Sequence, residues 1–208
     1  MPANNVAPTK SNLLREKERL FLALEGYELL ERKREILVME LMRRVEEVKI
    51  LERELERRTS TAYPALRRML LAMGRDQARD LAEGTQAVFS LKVKKAAIAG
   101  LSILTLEAKA PSPKLGSSFM NSFADSDETV LEFSELLKLI AEAAGLRSIV
   151  WRLAKEVRKT QRRVNALEKM VIPESRMRAK FIESSLEERE REAVFVVKLL
   201  KTRSEGGG

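Results

Sequence analysis

Between Arg147 and Lys180, eleven basic side chains stand against three acids: Arg147, Arg152, Lys155, Arg158, Lys159, Arg162, Arg163, Lys169, Arg176, Arg178 and Lys180 against Glu156, Glu168 and Glu174. That stretch alone carries +8, equal to the formal net charge of the whole 208-residue chain. Concentrated positive charge attracts an acidic protein surface or a nucleic-acid backbone over distances beyond contact. The same residues on a solvated helix face would instead form weak local ion pairs. Both readings stay open. Trp151 is the only aromatic residue in the band, so stacking on unpaired bases is poorly supported. An acid-rich run follows, with Glu183, Glu187, Glu188, Glu190 and Glu192 against Arg189 and Arg191.

Other chemistry is hard to find. The chain has no cysteine and no histidine, which removes disulfides, thiolate nucleophiles, the commonest general base and the commonest transition-metal ligand. No glycine-rich phosphate loop ends in Gly-Lys-Ser/Thr, and Gly74 to Gly84 has neither the spacing nor the lysine. Carboxylate pairs such as Glu46 and Glu47, or Glu187 and Glu188, fit solvated helix positions better than an acid/base dyad. No catalytic residue, cofactor site or metal site is expected, and the chain reads as no enzyme.

Long helices must position the charge band. Counting four then three from Leu13 through Leu20, Tyr27, Arg34 and Leu41 to Leu55 gives thirteen positions, nine of them apolar. The same count from Leu139 through Leu146, Leu153 and Thr160 to Val171 gives ten, nine of them apolar. Apolar residues every 3.5 positions keep one seam turned toward a partner helix, which is the signature of a coiled coil. Charged residues make up 34% of the chain and aromatic residues 5%, which favours elongated helices over a large aromatic core. Two amphipathic helices of a globular bundle are the alternative. The expected fold is mainly α, a long antiparallel two-helix coiled coil with a small middle segment.

The expected order is a flexible lead-in over 1–8, a coiled-coil helix over 9–60, a middle segment over 61–128, a second coiled-coil helix over 129–203 and a flexible tail over 204–208. Thr9 or Ser11 caps the first helix, and Gly26 lies inside it, where a missing side chain would admit a neighbouring helix. Thr59 to Thr61 and the pair Tyr63, Pro64 mark an interruption. In the middle, Ala65 to Glu83 has an apolar helical face of Leu66, Met69, Leu70, Met73 and Leu81. Phe89, Leu91 and Val93, then Leu101, Ile103 and Thr105, alternate with their neighbours as strands do, with Gly100 near the turn, so a short β-hairpin is expected. One continuous helix through Lys94 to Ala99 is the alternative. Pro111 to Ser118 reads as a loop, and Ser126 or Asp127 as the cap of the returning helix. Pro173 should bend that helix or shift its register near Ile172 to Ser175, because the seam changes phase there to Ile182, Leu186, Ala193, Val197 and Leu200. The second helix is longer by more than twenty residues. Either it overhangs, or the first helix continues past Pro64. The first residues lack a signal-peptide layout, and no apolar run approaches a membrane span, so a cytoplasmic chain is expected.

Two blocks of residues resemble a known family. The stretches VAPTKSNLLR from Val6 to Arg15 and GYELLERKREILVME from Gly26 to Glu40 are similar to the N-terminal signature of the D subunits of V-type and archaeal-type ATPases. So are RRVNALE from Arg162 to Glu168, Ile172-Pro173, Phe181 to Glu183, and LEERERE from Leu186 to Glu192. The blocks lie at both ends in the family's order, while 61–129 matches far less distinctively. The resemblance implies a central-stalk rotor shaft that carries torque between a hexamer of catalytic and nucleotide-binding subunits and a membrane ring of ion-carrying subunits. It implies a small F subunit bound to the shaft, a funnel-shaped subunit linking it to the ring, and a location peripheral to the membrane. No nucleic acid and no direct membrane insertion are expected on that reading. Candidate partner-binding residues are Lys10, Arg15, Arg19, Arg189 and Arg191 near the inner end, and Arg158, Arg162 and Arg163 in the basic band. A basic nucleic-acid-binding coiled coil, whose binding would weaken steeply with salt, and an adaptor or chaperone, which would bind clients with no hexamer present, are the competing readings.

Overall fold

A computed structural model describes residues 7–84, 90–98, 100–109 and 124–205. Expectations for 1–6, Phe89, the loop over 110–123 and the last residues, 206–208, lie outside them. Helix α1 spans Lys10–Gly84, strands β1 and β2 span Ser90–Ile98 and Leu101–Lys109, helix α2 spans Ala124–Ala166, a π-helical turn spans Leu167–Val171, and helix α3 spans Ile172–Glu205. The chain falls into two compact units, one of Met1–Glu35 with Arg158–Gly208 and the other of Ile36–Val157.

In the first unit α1 starts at a cap made by Thr9. Its hydroxyl oxygen accepts from the Asn12 backbone N–H at 3.2 Å, and its carbonyl accepts from Leu13 at 3.0 Å, satisfying donors that the first helical turn otherwise leaves unpaired. The start of α1 runs antiparallel to α3: Lys10 pairs with Glu190 at 3.1 Å and Lys17 with Glu183 at 2.8 Å, while Arg34 donates to Gln161 at 2.8 Å. As the number on one helix rises, that on the other falls. Ala23, Val164, Ala179 and Ile182 are buried there, together with Thr160, Ser175 and Glu16.

The seam on α1 differs from the count by one residue at alternate positions. Leu20, Tyr27, Arg34 and Leu41 are partly covered as expected, but Ala23 is buried while Leu24 is 38% exposed, and Leu37 is fully buried beside a partly covered Val38. Adjacent apolar residues leave the pattern degenerate between two neighbouring lines on the helix. Packing chooses the line that holds Ala23, Leu37 and Glu16. Gly26 faces the neighbouring element without crowding, since a Cβ there would meet only Leu167 Cδ1 at 3.9 Å.

The change of phase expected at Pro173 is present, but it is made by a π-helical turn over Leu167–Val171, just before the expected Ile172 to Ser175. Proline has no N–H and its ring crowds the carbonyl four residues back, here Lys169. The helix responds with one widened turn, in which the Ile172 N–H donates to the Leu167 carbonyl, five residues back. That extra residue moves the seam from Val164 to Ser175, Ala179 and Ile182. The seam then ends: Leu186 is half-covered, but Val197 and Leu200 are 64% and 61% exposed.

In the second unit the interruption expected at Tyr63 and Pro64 is absent, and α1 runs on to Gly84. Pro64 is exposed, while Ala62, Ala65 and Met69 on the opposite face are buried. Burial of that face outweighs the hydrogen bond that proline forfeits. The Thr59, Ser60 and Thr61 hydroxyls donate to the carbonyls of Leu55, Arg57 and Arg58 at 2.6, 2.7 and 2.9 Å, so they tie into the helix instead of ending it. The true break is Gly74, whose φ of 81° and ψ of 169° suit glycine alone. α2 begins at Ala124, before the expected cap, with Asp125 and Asp127 in its first turn and Ser126 buried.

β1 and β2 form an antiparallel hairpin in the register Ser90↔Lys109 to Ile98↔Leu101, in place of the alternative continuous helix. Gly100 takes the positive φ, 77°, that the tight connection requires. The unit's core joins Leu37 of α1, Ile103 of β2, and Ile149 and Leu153 of α2, with Leu41, Ala96, Ile98, Leu101, Leu146 and Val157 around them. Gly145 lets β2 lie close against α2, since a Cβ there would stand 3.3 Å from Leu106 Cβ. The Arg152 guanidinium donates to the Ser102 carbonyl at 3.4 Å, and Tyr63 meets Phe133 edge to face, ring centroids 5.7 Å apart.

Candidate partner-binding faces

The basic band divides once it is folded. In the second unit, Arg147 is held by Glu52 at 2.5 Å, Arg152 by the hairpin, and the Lys155 ammonium sits 5.3 Å from the Trp151 ring. These cations are occupied within the chain. In the first unit, Arg178 reaches Glu174 at 2.6 Å and Glu16 at 3.9 Å. Arg158, Lys159, Arg162 and Arg163 are different. Their spacing places them together on one side of α2, all four are exposed, and among the described residues none makes an ion pair. Within two helical turns they set four cations that have no ion pair among the described residues.

The residues expected at the inner end come together as a second group. Lys10 pairs with Glu190, Arg19 lies 3.9 Å from Glu16, Arg191 lies 3.4 Å from Glu187, and Arg189 donates to the Pro8 carbonyl at 3.0 Å. Arg15 is exposed, with no ion pair among the described residues. Lys10 with Glu190 and Arg189 with the Pro8 carbonyl fasten the two helix ends to each other, while Arg19 and Arg191 pair within their own helices. Exposed pairs of this kind contribute at most about 1 kcal/mol each, so they set register more than stability. Elsewhere, the hydrogen bond from Arg57 holds the Glu54 carboxyl below its ordinary pKa, a local helix pairing with no site around it.

Two apolar features stand apart from the charges. Beyond Leu186, α3 exposes Val194, Phe195, Val196, Val197, Leu199 and Leu200, each at 49% or more. The signal was in the sequence: Ala193 to Val197 is an unbroken apolar run, which a single seam cannot use. In the second unit an open apolar cavity of about 300 Å³ lies among Leu66, Met69, Ala78, Leu81, Phe133 and Leu137, formed where α1 breaks at Gly74. Among the described residues there is no grouping of three or more acids able to hold a metal ion, and no helix is long and apolar enough to cross a membrane.

Antiparallel helical pairs with unpaired cations on one face and an apolar overhang define a coiled-coil protein with surfaces suited to other chains. The family model of the ATP synthase D subunit matches residues 12–202, and the chain belongs to that family. It is 47% identical over 200 residues to the second of the V-type ATP synthase D subunits of Treponema pallidum, covering 96% of each chain. It is 35% identical to the V-type ATP synthase D subunit of Thermotoga neapolitana, over 96% of this chain and 98% of that one. The A-type ATP synthase D subunit of Pyrococcus horikoshii is 34% identical, over 94% of this chain and 93% of its own.

Proposed function

We propose that this chain is the central-stalk shaft of a rotary V/A-type ATPase and passes torque between the nucleotide-hydrolysing or nucleotide-forming hexamer and the membrane ring. The observation that carries the reading is cross-tying. In each unit α1 is bound to the returning helix by a buried seam and by ion pairs, Lys17 with Glu183 in one and Arg68 with Glu128 at 2.9 Å in the other. A twist applied to one helix is therefore resisted by both. The chain takes no part in bond-making itself, and it works in the cytoplasm, peripheral to the membrane. Its partners are the catalytic and nucleotide-binding subunits of the hexamer, the small F subunit and the funnel-shaped subunit above the ring.

On this reading the end made by Lys10 to Arg19 and Arg189 to Arg203 enters the hexamer, and the exposed apolar turns of α3 lie against its inner wall. Co-expression with the hexamer subunits and the F subunit tests the assignment: the chain should co-purify with them in fixed proportion and support ATP hydrolysis, which should couple to ion movement once the membrane ring is added. A chain that joins neither the hexamer nor the F subunit rules the shaft out. The apolar end has its own test. Replacing Val194, Phe195 and Val197 together by serine should leave helicity unchanged, because all three are exposed. Affinity for the hexamer should fall about tenfold, the loss expected when apolar contacts worth about 1.4 kcal/mol are removed. Equal affinity would take this end out of the interface.

A further inference from the structure

We propose that the outer edge of β1 is a strand-addition site that takes an extended, acidic segment of a partner protein.

The hairpin has one covered edge and one open edge. β2 lies along α2, with Leu106 against Gly145 and the Ser102 carbonyl reached by Arg152. β1 is the outer strand, and every residue from Ser90 to Lys95 is exposed. Antiparallel pairs alternate between residues that bond to each other and residues whose N–H and C=O point away from the ladder. Two residues connect Ile98 to Leu101, which makes that pair a bonded one and sets the alternation for the rest. Two contacts agree with it. The Ser102 carbonyl points outward to Arg152, and the Lys94 carbonyl points inward, where it also accepts from the Thr105 hydroxyl at 3.2 Å. The backbone groups of Leu91, Val93, Lys95 and Ala97 therefore face outward along β1. Among the described residues, no backbone bond outside the helices and the hairpin ladder reaches them.

An open edge is a template for another strand. The side chains along this one choose its occupant. Leu91 and Val93 are 52% and 57% exposed on one face, giving an incoming strand apolar neighbours. Lys95 shares that face, Lys92 and Lys94 follow on the other, and the two strands together hold four lysines, counting Lys109, against Glu107, which stands opposite Lys92 in the register. A second copy of the chain would bring lysines against lysines, which disfavours edge-to-edge pairing with itself. A strand that alternates acidic and apolar residues meets both features.

The inference concerns the hairpin alone, so it is tested on the full isolated chain and does not depend on the shaft reading. The probe is the blocked octapeptide of four Val-Glu repeats, with four Val-Lys repeats as its control. The acidic peptide should bind saturably, at least tenfold tighter than the basic one, and slow amide exchange at Leu91, Val93 and Lys95. Val93→Pro deletes one outward N–H at an edge position that tolerates proline, and it should weaken binding at least tenfold. Should that variant lose the hairpin, Lys92→Glu with Lys95→Glu serves instead, and it should reverse the preference toward the basic peptide. No binding of either peptide, equal binding of both, or protection confined to residues outside β1 overturns the proposal.

Discussion

Replacing Arg158, Arg162 and Arg163 together by glutamate is expected to weaken assembly of the chain with the ATPase hexamer and the F subunit by about 100-fold. The three guanidiniums are exposed and, among the described residues, unpaired, so no internal contact is lost and the melting temperature should hold. Their reversal acts on the partner alone. Each rim charge turned from attraction to repulsion costs about 1 kcal/mol, and three such changes give about 3 kcal/mol, or roughly two decades in affinity. Because the charges are exposed, the defect should shrink as ionic strength rises and the screening length falls. Assembly is read by co-purification at two salt concentrations, and coupling by ATP hydrolysis with ion pumping. Wild-type assembly and coupled turnover in the triple variant at low salt would remove the band from the interface. Arg147→Glu makes a useful contrast, because Arg147 is committed to Glu52 and its reversal should disturb the chain's own pairing.

Leu153→Ala should destabilise the protein by about 2–5 kcal/mol, the range for emptying a fully buried leucine site. Leu153 has no exposure and touches a core drawn from α1, β2 and α2, so the cavity cannot be closed by one element moving alone. Chemical denaturation should show a lower midpoint with an unchanged slope. Trp151→Ala, two residues away and 66% exposed, should shift the midpoint far less despite the larger side chain. A Leu153→Ala protein as stable as the wild type would show that the hairpin is not packed on the helices as described.

How much of this was legible beforehand varied from element to element. The helical pair and the hairpin followed from periodicity, the antiparallel sense from the middle segment that joins the end of one helix to the start of the other, and Pro173 announced a change of phase. The form of that change, one π-helical turn over Leu167–Val171, did not follow, because a kink and a widened turn leave the same mark on a hydrophobic pattern. Pro64 misled for a different reason. Its local cost is real, but Ala62, Ala65 and Met69 are buried on the face opposite the ring, and that burial keeps the helix going to Gly74. The seam on α1 was off by one at alternate positions, since Leu24 and Val38 look as suitable as Ala23 and Leu37 until a partner helix is present.

The candidate charges show the same division. Their number, sign and clustering are properties of the chain, visible without any fold. Which of them are available to a partner is not. Arg147, Arg152 and Arg178 lie in the same band as Arg158, Arg162 and Arg163, yet the first three reach Glu52, the Ser102 carbonyl and Glu174, residues brought near by the fold or by the next helical turn.

Sequence alone determined the helical periodicity, the alternation of the hairpin, the family blocks and the charge imbalance, because each depends on spacing along one chain. Tertiary structure decided the choice of seam line, the continuation through Pro64, the open edge of β1, the exposed end of α3 and the sorting of paired from unpaired cations. Those depend on what stands opposite each residue, and burial and pairing energies between distant segments are large enough to override the local preferences that a sequence displays.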